Sequence, residues 1–254
     1  MGFAARTASQ MATDDASGAR TWVKVCGVRR PQDLVAAIES GVDAVGLVFA
    51  ERSKRRVDPD EARLLVRIAA DAAICVGVFD GQRAWEVAEV LDETGLRAVQ
   101  YYGPIEEFAS LRETFPDLDL AIYGVRMRRS AGGGAVEVYE TLLGSLSEVG
   151  DVRLPDAFLF DSPTPGSGER WDVESLGGYF GPIPYVVAGG LGPENVAEVV
   201  MRLRPWGVDA SSSVEVSPGV KDPSAISRFV DAVRTADRVA FPSRLGEFHL
   251  SPNG

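Results

Sequence analysis

The chain has little positive charge and no long hydrophobic run. Its 26 Lys and Arg residues stand against 37 Asp and Glu residues, a net charge of −11, whereas nucleic acids and anionic membranes are bound by basic surfaces. No apolar stretch is long enough to cross a bilayer, and residues 1–20 lack the apolar core of a signal peptide. We therefore expect a cytoplasmic protein that binds neither nucleic acid nor membrane.

Cysteine and histidine are also scarce. Cys26 and Cys75 are the only cysteines, and they fall in different apolar runs, which predicts reduced thiols rather than a disulfide. The single histidine, His249, lies near the C-terminus, where we expect a solvated side chain.

The composition predicts one folded domain between two tails. Residues 1–20 are rich in Ala, Ser, Thr and Asp and are expected to be a disordered extension, and residues 238–254 a C-terminal tail. The intervening residues 21–237 are expected to form a single folded domain, because 254 residues with 45% apolar content can bury one large core.

From Trp22 onward, short apolar runs alternate with amphipathic stretches, a pattern typical of βα units around a parallel sheet. Eight strands are predicted, at Trp22–Cys26, Ala44–Phe49, Ile74–Phe79, Ala98–Tyr101, Leu120–Val125, Ala157–Asp161, Tyr185–Ala188 and Val208–Ser211. Eight such units favour an α/β fold that closes into a single-domain (β/α)8 TIM barrel. The alternative, a doubly wound sheet, is disfavoured because the first turn lacks the Gly-x-Gly-x-x-Gly spacing of a dinucleotide site.

Barrel enzymes carry their chemistry at the carboxyl ends of the strands, and two residues there are suited to acid–base catalysis. Cys26 ends the first strand, so its thiol could act as a base or nucleophile, or pack as a small hydrophobe. Asp161 follows an apolar strand. Burial would raise its pKa and keep it protonated, as a general acid requires, although the carboxyl could instead cap the next loop.

The loops after three other strands contain candidate ligand-binding residues. One of the basic residues after the second strand (Arg52, Lys54, Arg55, Arg56) could bind a carboxylate bidentately. Strands seven and eight end in Gly189-Gly190 and Ser211-Ser212-Ser213, whose backbone amides can approach a phosphate closely. No comparable diglycine or serine-rich loop follows strands three and four, which predicts a substrate with one phosphate.

Several motifs follow one another between residues 22 and 233. They are Val23-Lys-Val-Cys-Gly-Val, Gly46-Leu-Val-Phe with Ser53-Lys-Arg-Arg-Val57, Val76-Gly-Val-Phe, Val99-Gln100, Asp161 with Pro165-Gly-Ser-Gly-Glu169, Ala188-Gly-Gly-Leu-Gly-Pro-Glu-Asn195, and Gly207-Val-Asp to Val216-Ser-Pro-Gly-Val-Lys-Asp222. Together these motifs resemble the phosphoribosylanthranilate isomerase family of tryptophan biosynthesis.

The resemblance implies an Amadori rearrangement that converts N-(5-phosphoribosyl)anthranilate into 1-(2-carboxyphenylamino)-1-deoxyribulose 5-phosphate. It also implies that the enzyme uses no metal or organic cofactor and that its partner is a small phosphorylated sugar substrate. The implied roles are Cys26 as general base, Asp161 as general acid, Arg55 as the ligand of the anthranilate carboxylate, Gln100 and Asp209 as further substrate contacts, and Gly189, Gly190, Ser211, Ser212 and Ser213 as the phosphate site.

Two positions depart from the usual family pattern. Tyr102 stands where family members usually have histidine, and Ser213 where they usually have glycine. Ser213 could crowd the phosphate or donate its hydroxyl to it, and Tyr102 could alter the aromatic pocket. These departures leave open a paralogous isomerase acting on a related phosphoribosylamine, and a non-catalytic phosphate-binding barrel is a further alternative. The sequence is compatible with a monomer or a homodimer.

Overall fold

The computed structural model of the protein describes residues 20–127, 153–161 and 183–240, together with 141, 144 and 145. Residues 1–19 and 241–254 lie outside the described residues, and with them most of the expected extension and tail, including His249. The last helix continues to Ala240, beyond the domain boundary of 237 expected from the sequence.

Eight parallel strands close into one barrel in chain order. They are β1 (Trp22–Cys26), β2 (Ala44–Val48), β3 (Ile74–Asp80), β4 (Ala98–Tyr102), β5 (Leu120–Arg126), β6 (Ala157–Asp161), β7 (Tyr185–Ala188) and β8 (Gly207–Ala210). The barrel closes where β8 pairs with β1, with Asp209 opposite Lys24. The predicted TIM barrel is confirmed, and every strand boundary agrees with the sequence to within one residue.

Helices surround the barrel. They are α1 (Pro31–Glu39), α2 (Pro59–Ala69), α3 (Ala84–Thr94), α4 (Ile105–Thr114), α5 (Val196–Leu203) and α6 (Pro223–Ala240). A 3-10 turn (Ser212–Val214) and a small hairpin of β9 (Glu215–Ser217) and β10 (Val220–Lys221) follow β8. None of the helices in the described part of the chain has the length and apolar content needed to cross a bilayer.

Proline at the first helical position begins α1, α2 and α6, where its missing N–H costs no hydrogen bond. Asp58 and Glu61 add a capping box to α2. α5 begins at Val196, after a turn in which Asn195 Oδ1 accepts a hydrogen bond from the Gly192 backbone N–H at 2.8 Å.

The two faces of the barrel sheet differ in polarity. Alternate side chains of a strand point to opposite faces, and the face toward the helices is apolar and continuous with the helix core. The barrel interior holds a second apolar cluster but also buries Lys24, Gln100 and Asp209. Since buried polar groups are costly unless they are paired, this polar layer marks the site that the strand ends surround.

Candidate active site

Cys26 is the last residue of β1, and its thiol lies against β2. Its partner in the strand register is Gly46, where a Cβ atom would come within 2.7 Å of the Cys26 Sγ. Glycine at position 46 therefore leaves the space that the thiol occupies. The thiol is free and partly exposed. Burial raises its pKa above that of a solvated thiol, although the charges of Lys24 and Lys221 oppose the shift.

Lys24 is a residue of this site that the sequence patterns did not single out. Its ammonium group is fully buried and donates a hydrogen bond to Asp209 Oδ2 at 2.7 Å. Burial disfavours its charge, but Asp209 and Cys26 outweigh burial and raise the pKa of the lysine. Strand alternation is the signal that could have found it, because residues two apart share a face and Cys26 was already placed at the rim.

Two oxygens in the same polar layer are buried without a hydrogen bond. Asp209 Oδ1 and Gln100 Oε1 have no partner in the part of the chain that the structure describes. An unsatisfied buried polar group costs about 1–3 kcal/mol. Both residues expected to contact substrate thus retain an acceptor that a donor from a ligand or a water molecule could satisfy.

Asp161 ends β6, with Arg126 of β5 as its register partner. Burial, followed by the negative charge of Asp209, raises the pKa of Asp161 to about 6, although Arg126, Lys24 and the Tyr102 hydroxyl oppose the shift. The carboxyl is therefore protonated in part near neutral pH. This is the environment that the sequence predicted for it.

Tyr102 ends β4 and is almost completely buried. Its hydroxyl accepts a hydrogen bond from Gln100 Nε2 at 2.9 Å, and the Arg126 Cζ atom lies 4.6 Å from the centre of its ring. Arg126 in turn donates to Asp80 Oδ2 at 2.8 Å. The aromatic residue that departs from the family pattern is therefore part of the site.

The loop after β2 holds Arg55 over the same rim. Val57 is buried and its amide donates to the Val48 carbonyl at 2.9 Å, which fixes the loop to β2. The Arg55 side chain packs on Gly27, where a Cβ atom would come within 2.5 Å of its Cδ. Gly27 also has a φ of +81°, so a larger residue there is disfavoured both by backbone strain and by contact with Arg55.

Arg55 is paired with Glu215 of β9, a residue that the sequence patterns did not assign to the site. The Arg55 Nη2 and Nε atoms donate to the buried carboxylate at 2.7 and 2.9 Å, and Lys221 Nζ donates to the same carboxylate at 2.9 Å. Burial works against the charge of Glu215, but these two cations outweigh it and lower the pKa of the carboxyl. Lys221 also donates to the backbone carbonyl of Cys26, so the hairpin after β8 is tied to the end of β1.

The diglycine after β7 has the backbone that a close approach to an anion requires. Gly189 and Gly190 have φ values of +84° and +66°, the left-handed region that favours glycine. Asn195 stabilises this turn, because its Nδ2 donates to the Gly190 carbonyl at 2.9 Å and its Oδ1 accepts from Gly192. The turn leads directly into α5, whose N-terminus carries partial positive charge.

The serine loop after β8 is joined to this turn. The Ser213 hydroxyl donates to the Leu191 backbone carbonyl, and the Ser211 hydroxyl donates to the Cys26 carbonyl at 3.1 Å. A hydroxyl has only one proton to donate, so in this arrangement Ser213 links the two loops rather than presenting a donor outward.

The structure brings most predicted site residues to the carboxyl-terminal rim and separates Cys75 from them. Cys75 lies in β3 on the helix-facing side, and burial raises its pKa to about 12. The Pro165-Gly-Ser-Gly-Glu169 motif lies outside the described residues. Within the ranges that the structure does describe, no group of three or more His, Cys, Asp or Glu side chains is arranged to hold a metal ion.

Comparison with known proteins shows what this chain is similar to. Residues 23–232 match the family model described as N-(5'phosphoribosyl)anthranilate (PRA) isomerase. The N-(5'-phosphoribosyl)anthranilate isomerase of Stenotrophomonas maltophilia strain K279a is 38% identical over 224 residues, covering 86% of this chain and 95% of that protein. The enzyme of the same name from Halorhodospira halophila is 37% identical, covering 86% of this chain and 99% of the relative.

Solved structures agree with the sequence matches. The crystal structure of phosphoribosyl anthranilate isomerase from Thermotoga maritima has a TM-score of 0.70 and 31% identity, covering 85% of this chain and 99% of that one. A second isomerase structure, in complex with reduced 1-(o-carboxyphenylamino)-1-deoxyribulose 5-phosphate, has a TM-score of 0.68 and 29% identity, with the same coverage of both chains. A further Thermotoga maritima structure is of monomers generated from a dimeric isomerase.

Proposed function

This chain belongs to the N-(5'-phosphoribosyl)anthranilate isomerase family of tryptophan biosynthesis, and we propose that Asp161 and Cys26 are the acid and the base of its Amadori rearrangement. This assignment rests on one observation: the electrostatic surroundings of a carboxyl and of a thiol on the same rim of the barrel suit an acid and a base. Asp161 has a pKa raised to about 6, and Cys26 lies beside the ammonium groups of Lys24 and Lys221.

Ring opening is the first step. The substrate is a glycosylamine, and Asp161 transfers its proton to the furanose ring oxygen, so that the C1–O bond breaks and the nitrogen lone pair forms a protonated imine. Burial favours the neutral, proton-carrying form of the carboxyl. An acid whose pKa lies close to the working pH has both the proton and the driving force to transfer it.

Proton abstraction is the second step. The Cys26 thiolate removes the proton on C2 of the sugar, and the electron pair of the C–H bond moves toward the protonated imine, giving an enolamine. The enolamine tautomerises to the ketone when C1 gains a proton and the hydroxyl on C2 loses one. Lys24 and Lys221 favour the thiolate electrostatically, against the burial that disfavours it. The protonated imine is the electron sink, which is why the reaction as proposed uses no metal or organic cofactor.

The remaining residues hold the two ends of the substrate. The backbone amides of Gly189, Gly190 and Ser211–Ser213 bind the single phosphate, aided by the dipole of α5. Arg55 binds the anthranilate carboxylate at the other end. The unpaired oxygens of Asp209 and Gln100 accept hydrogen bonds from the sugar hydroxyls between these ends.

The test is consumption of phosphoribosylanthranilate by the purified protein, followed by its fluorescence, together with rescue of a tryptophan auxotroph that lacks this isomerase. Cys26→Ala and Asp161→Ala should each lower kcat by about 10²- to 10⁴-fold, the usual range for a lost general acid or base, with product affinity nearly unchanged. Cys75→Ala is the matched control, because it removes the buried thiol that lies away from the rim. Full turnover by Cys26→Ala would contradict the mechanism.

The second candidate substrate is a related phosphoribosylamine. The presence of Tyr102 in the site favours it, because the family usually has an imidazole where this chain has a phenol. A paralogue of this kind would turn over phosphoribosylanthranilate near the solution background and would fail to rescue the auxotroph. Rescue at ordinary growth rate would remove this candidate.

A further inference from the structure

The Tyr102 side chain extends over β5, the strand that lies between β4 and β6 in the barrel. Its ring lies over Gly124 of β5, where a Cβ atom would come within 2.4 Å of the ring. Any larger residue at 124 would therefore displace the ring. Beyond β5 in the sheet lies β6, which ends at Asp161.

The hydrogen bond that the Tyr102 hydroxyl accepts determines where its own proton can be donated. Gln100 Nε2 donates to the hydroxyl oxygen at 2.9 Å, which leaves the single phenolic proton to be donated elsewhere. The phenol keeps that proton at neutral pH, because burial followed by the charge of Asp161 raises the pKa of Tyr102 well above its ordinary value. Arg126, with its Cζ atom 4.6 Å from the ring centre, fixes the ring further.

We propose that Tyr102 is a positioning residue for Asp161: its hydroxyl, oriented by Gln100, donates a hydrogen bond to the Asp161 carboxyl and holds it toward the substrate. The proposal rests on the proposed function, in which Asp161 is the general acid. The proposal assigns a role to Tyr102, for which the resemblance to the family implied none.

Other charged groups also act on Asp161, and the effect of Tyr102 has to be separated from theirs. In the described residues, Asp209 of β8 raises the pKa of the carboxyl, whereas Arg126 of β5 and Lys24 of β1 lower it, and the Tyr102 hydroxyl of β4 lowers it as well. A hydrogen bond to a carboxylate stabilises the ionised form. Removing the hydroxyl alone should therefore raise the pKa of Asp161.

The variant that tests this is Tyr102→Phe, which keeps the ring and removes one oxygen. We expect kcat to fall about tenfold, as for a lost hydrogen bond to a charged group, with KM within about twofold of wild type. The limb of the kcat/KM profile near pH 6 should move to higher pH by about 0.5–1 unit, which corresponds to a modest hydrogen-bond energy. A merely structural role would not move this limb.

Tyr101→Phe is the matched control. Tyr101 lies next to Tyr102 in β4, but its hydroxyl donates to the Gln82 backbone carbonyl at 2.8 Å and its side chain belongs to the helix-facing core. Loss of this hydroxyl should leave kcat and the profile unchanged. An equal shift in both variants would overturn the proposal, because it would reflect general loosening of β4.

A direct titration separates this proposal from the proposed function. Carbon NMR of protein labelled at the aspartate carboxyl carbons, with the Asp161 resonance identified by its loss in Asp161→Asn, should show a higher pKa in Tyr102→Phe than in wild type. Gly124→Ala, which displaces the ring, should shift it in the same direction. If the pKa is unmoved in both variants, the proposal fails even when kcat falls. If it moves but wild type does not turn over phosphoribosylanthranilate, the proposed function fails and the contact stands.

Discussion

Arg55 is held by Glu215 through two of its three guanidinium nitrogens. Nη2 donates to Oε2 at 2.7 Å and Nε to Oε1 at 2.9 Å, and Nη1 has no partner among the described residues. Glu215 lies on the hairpin after β8, so this ion pair joins two loops that come from opposite ends of the chain. The pair orients Arg55 in advance while leaving one nitrogen for a ligand, and a pre-oriented fork loses less freedom when it binds a carboxylate.

We predict that Arg55→Ala weakens substrate binding more than it slows the reaction. A charge-assisted hydrogen bond contributes about 1.5–3 kcal/mol, so KM for phosphoribosylanthranilate should rise roughly 10- to 100-fold, with kcat changed by less than about threefold. Steady-state kinetics measure both. Arg56→Ala is the matched control, because it removes the same charge from an exposed side chain of the same loop. An equal rise of KM in both variants would mean that the loop acts only by general attraction of the anionic substrate.

The pH profile of kcat/KM should be bell-shaped, with limbs set by Asp161 and Cys26. The pKa of Asp161 is about 6, and burial places the pKa of Cys26 above that of a solvated thiol. In the proposed mechanism the reactive form carries a protonated acid and an ionised thiol, so it is a minor species. Its fraction is constant between the two pKa values and falls on either side of them.

Two variants assign the limbs. Cys26→Ser raises the pKa of the base far above that of a thiol, so the alkaline limb should leave the measurable range and the rate should fall. Asp161→Glu keeps a carboxyl group, so an acidic limb should remain, at a shifted position. An acidic limb that is unchanged in Asp161→Glu would show that another group controls it.

The strands could be predicted because the apolar pattern that indicates a strand depends only on residues close together in the sequence. A run such as Ala44–Val48 is apolar on both faces, which only a strand covered on both sides requires. The rim positions of Cys26 and Asp161 followed directly, since each ends its strand. The environment of Asp161 was predictable as well, because a carboxyl that emerges from an apolar strand is desolvated.

The contacts between distant segments were not predictable in this way. Glu215 and Lys221 read as ordinary charges in a hairpin, and only the closed barrel brings them to Arg55 and the Cys26 carbonyl. The Tyr102 ring can lie over β5 because residue 124, on that neighbouring strand, is glycine. Such juxtapositions depend on register and barrel closure, which no short segment encodes.

Asp161 should reduce the stability of the fold at neutral pH. Because its folded-state pKa is raised, ionisation costs folding free energy. The cost is absent below about pH 4, grows as the pH rises toward the folded pKa near 6, and is complete above it. A shift of about 2 units corresponds to roughly 2–3 kcal/mol. We therefore expect Asp161→Asn to be more stable than wild type by up to that amount at pH 8.

Urea denaturation at pH 8 and pH 4 measures this effect. The stability difference should disappear at pH 4, where wild-type Asp161 is also neutral. Asp231→Asn, on an exposed position of α6, is the control and should change stability little at either pH. A loss of stability in Asp161→Asn at pH 8 would mean that the ionised carboxyl is better paired than the structure indicates.

Ser213 should strengthen phosphate binding without touching the phosphate through its hydroxyl. The hydroxyl donates to the Leu191 carbonyl, so it joins the serine loop after β8 to the diglycine turn after β7, and both loops supply backbone amides to the proposed phosphate site. Ser213→Ala removes that link, at a cost of about 0.5–1.5 kcal/mol for one neutral hydrogen bond. KM for the substrate and the inhibition constant of inorganic phosphate should therefore rise together, by up to about tenfold, with kcat nearly constant.

Ser40→Ala is the control for Ser213→Ala, because it removes a similar hydrogen bond, from Ser40 Oγ to the Ala36 carbonyl at 2.7 Å, at the C-terminus of α1. If Ser213→Ala binds phosphate more tightly, then the serine crowds the site, and the link between the loops is not what holds the anion.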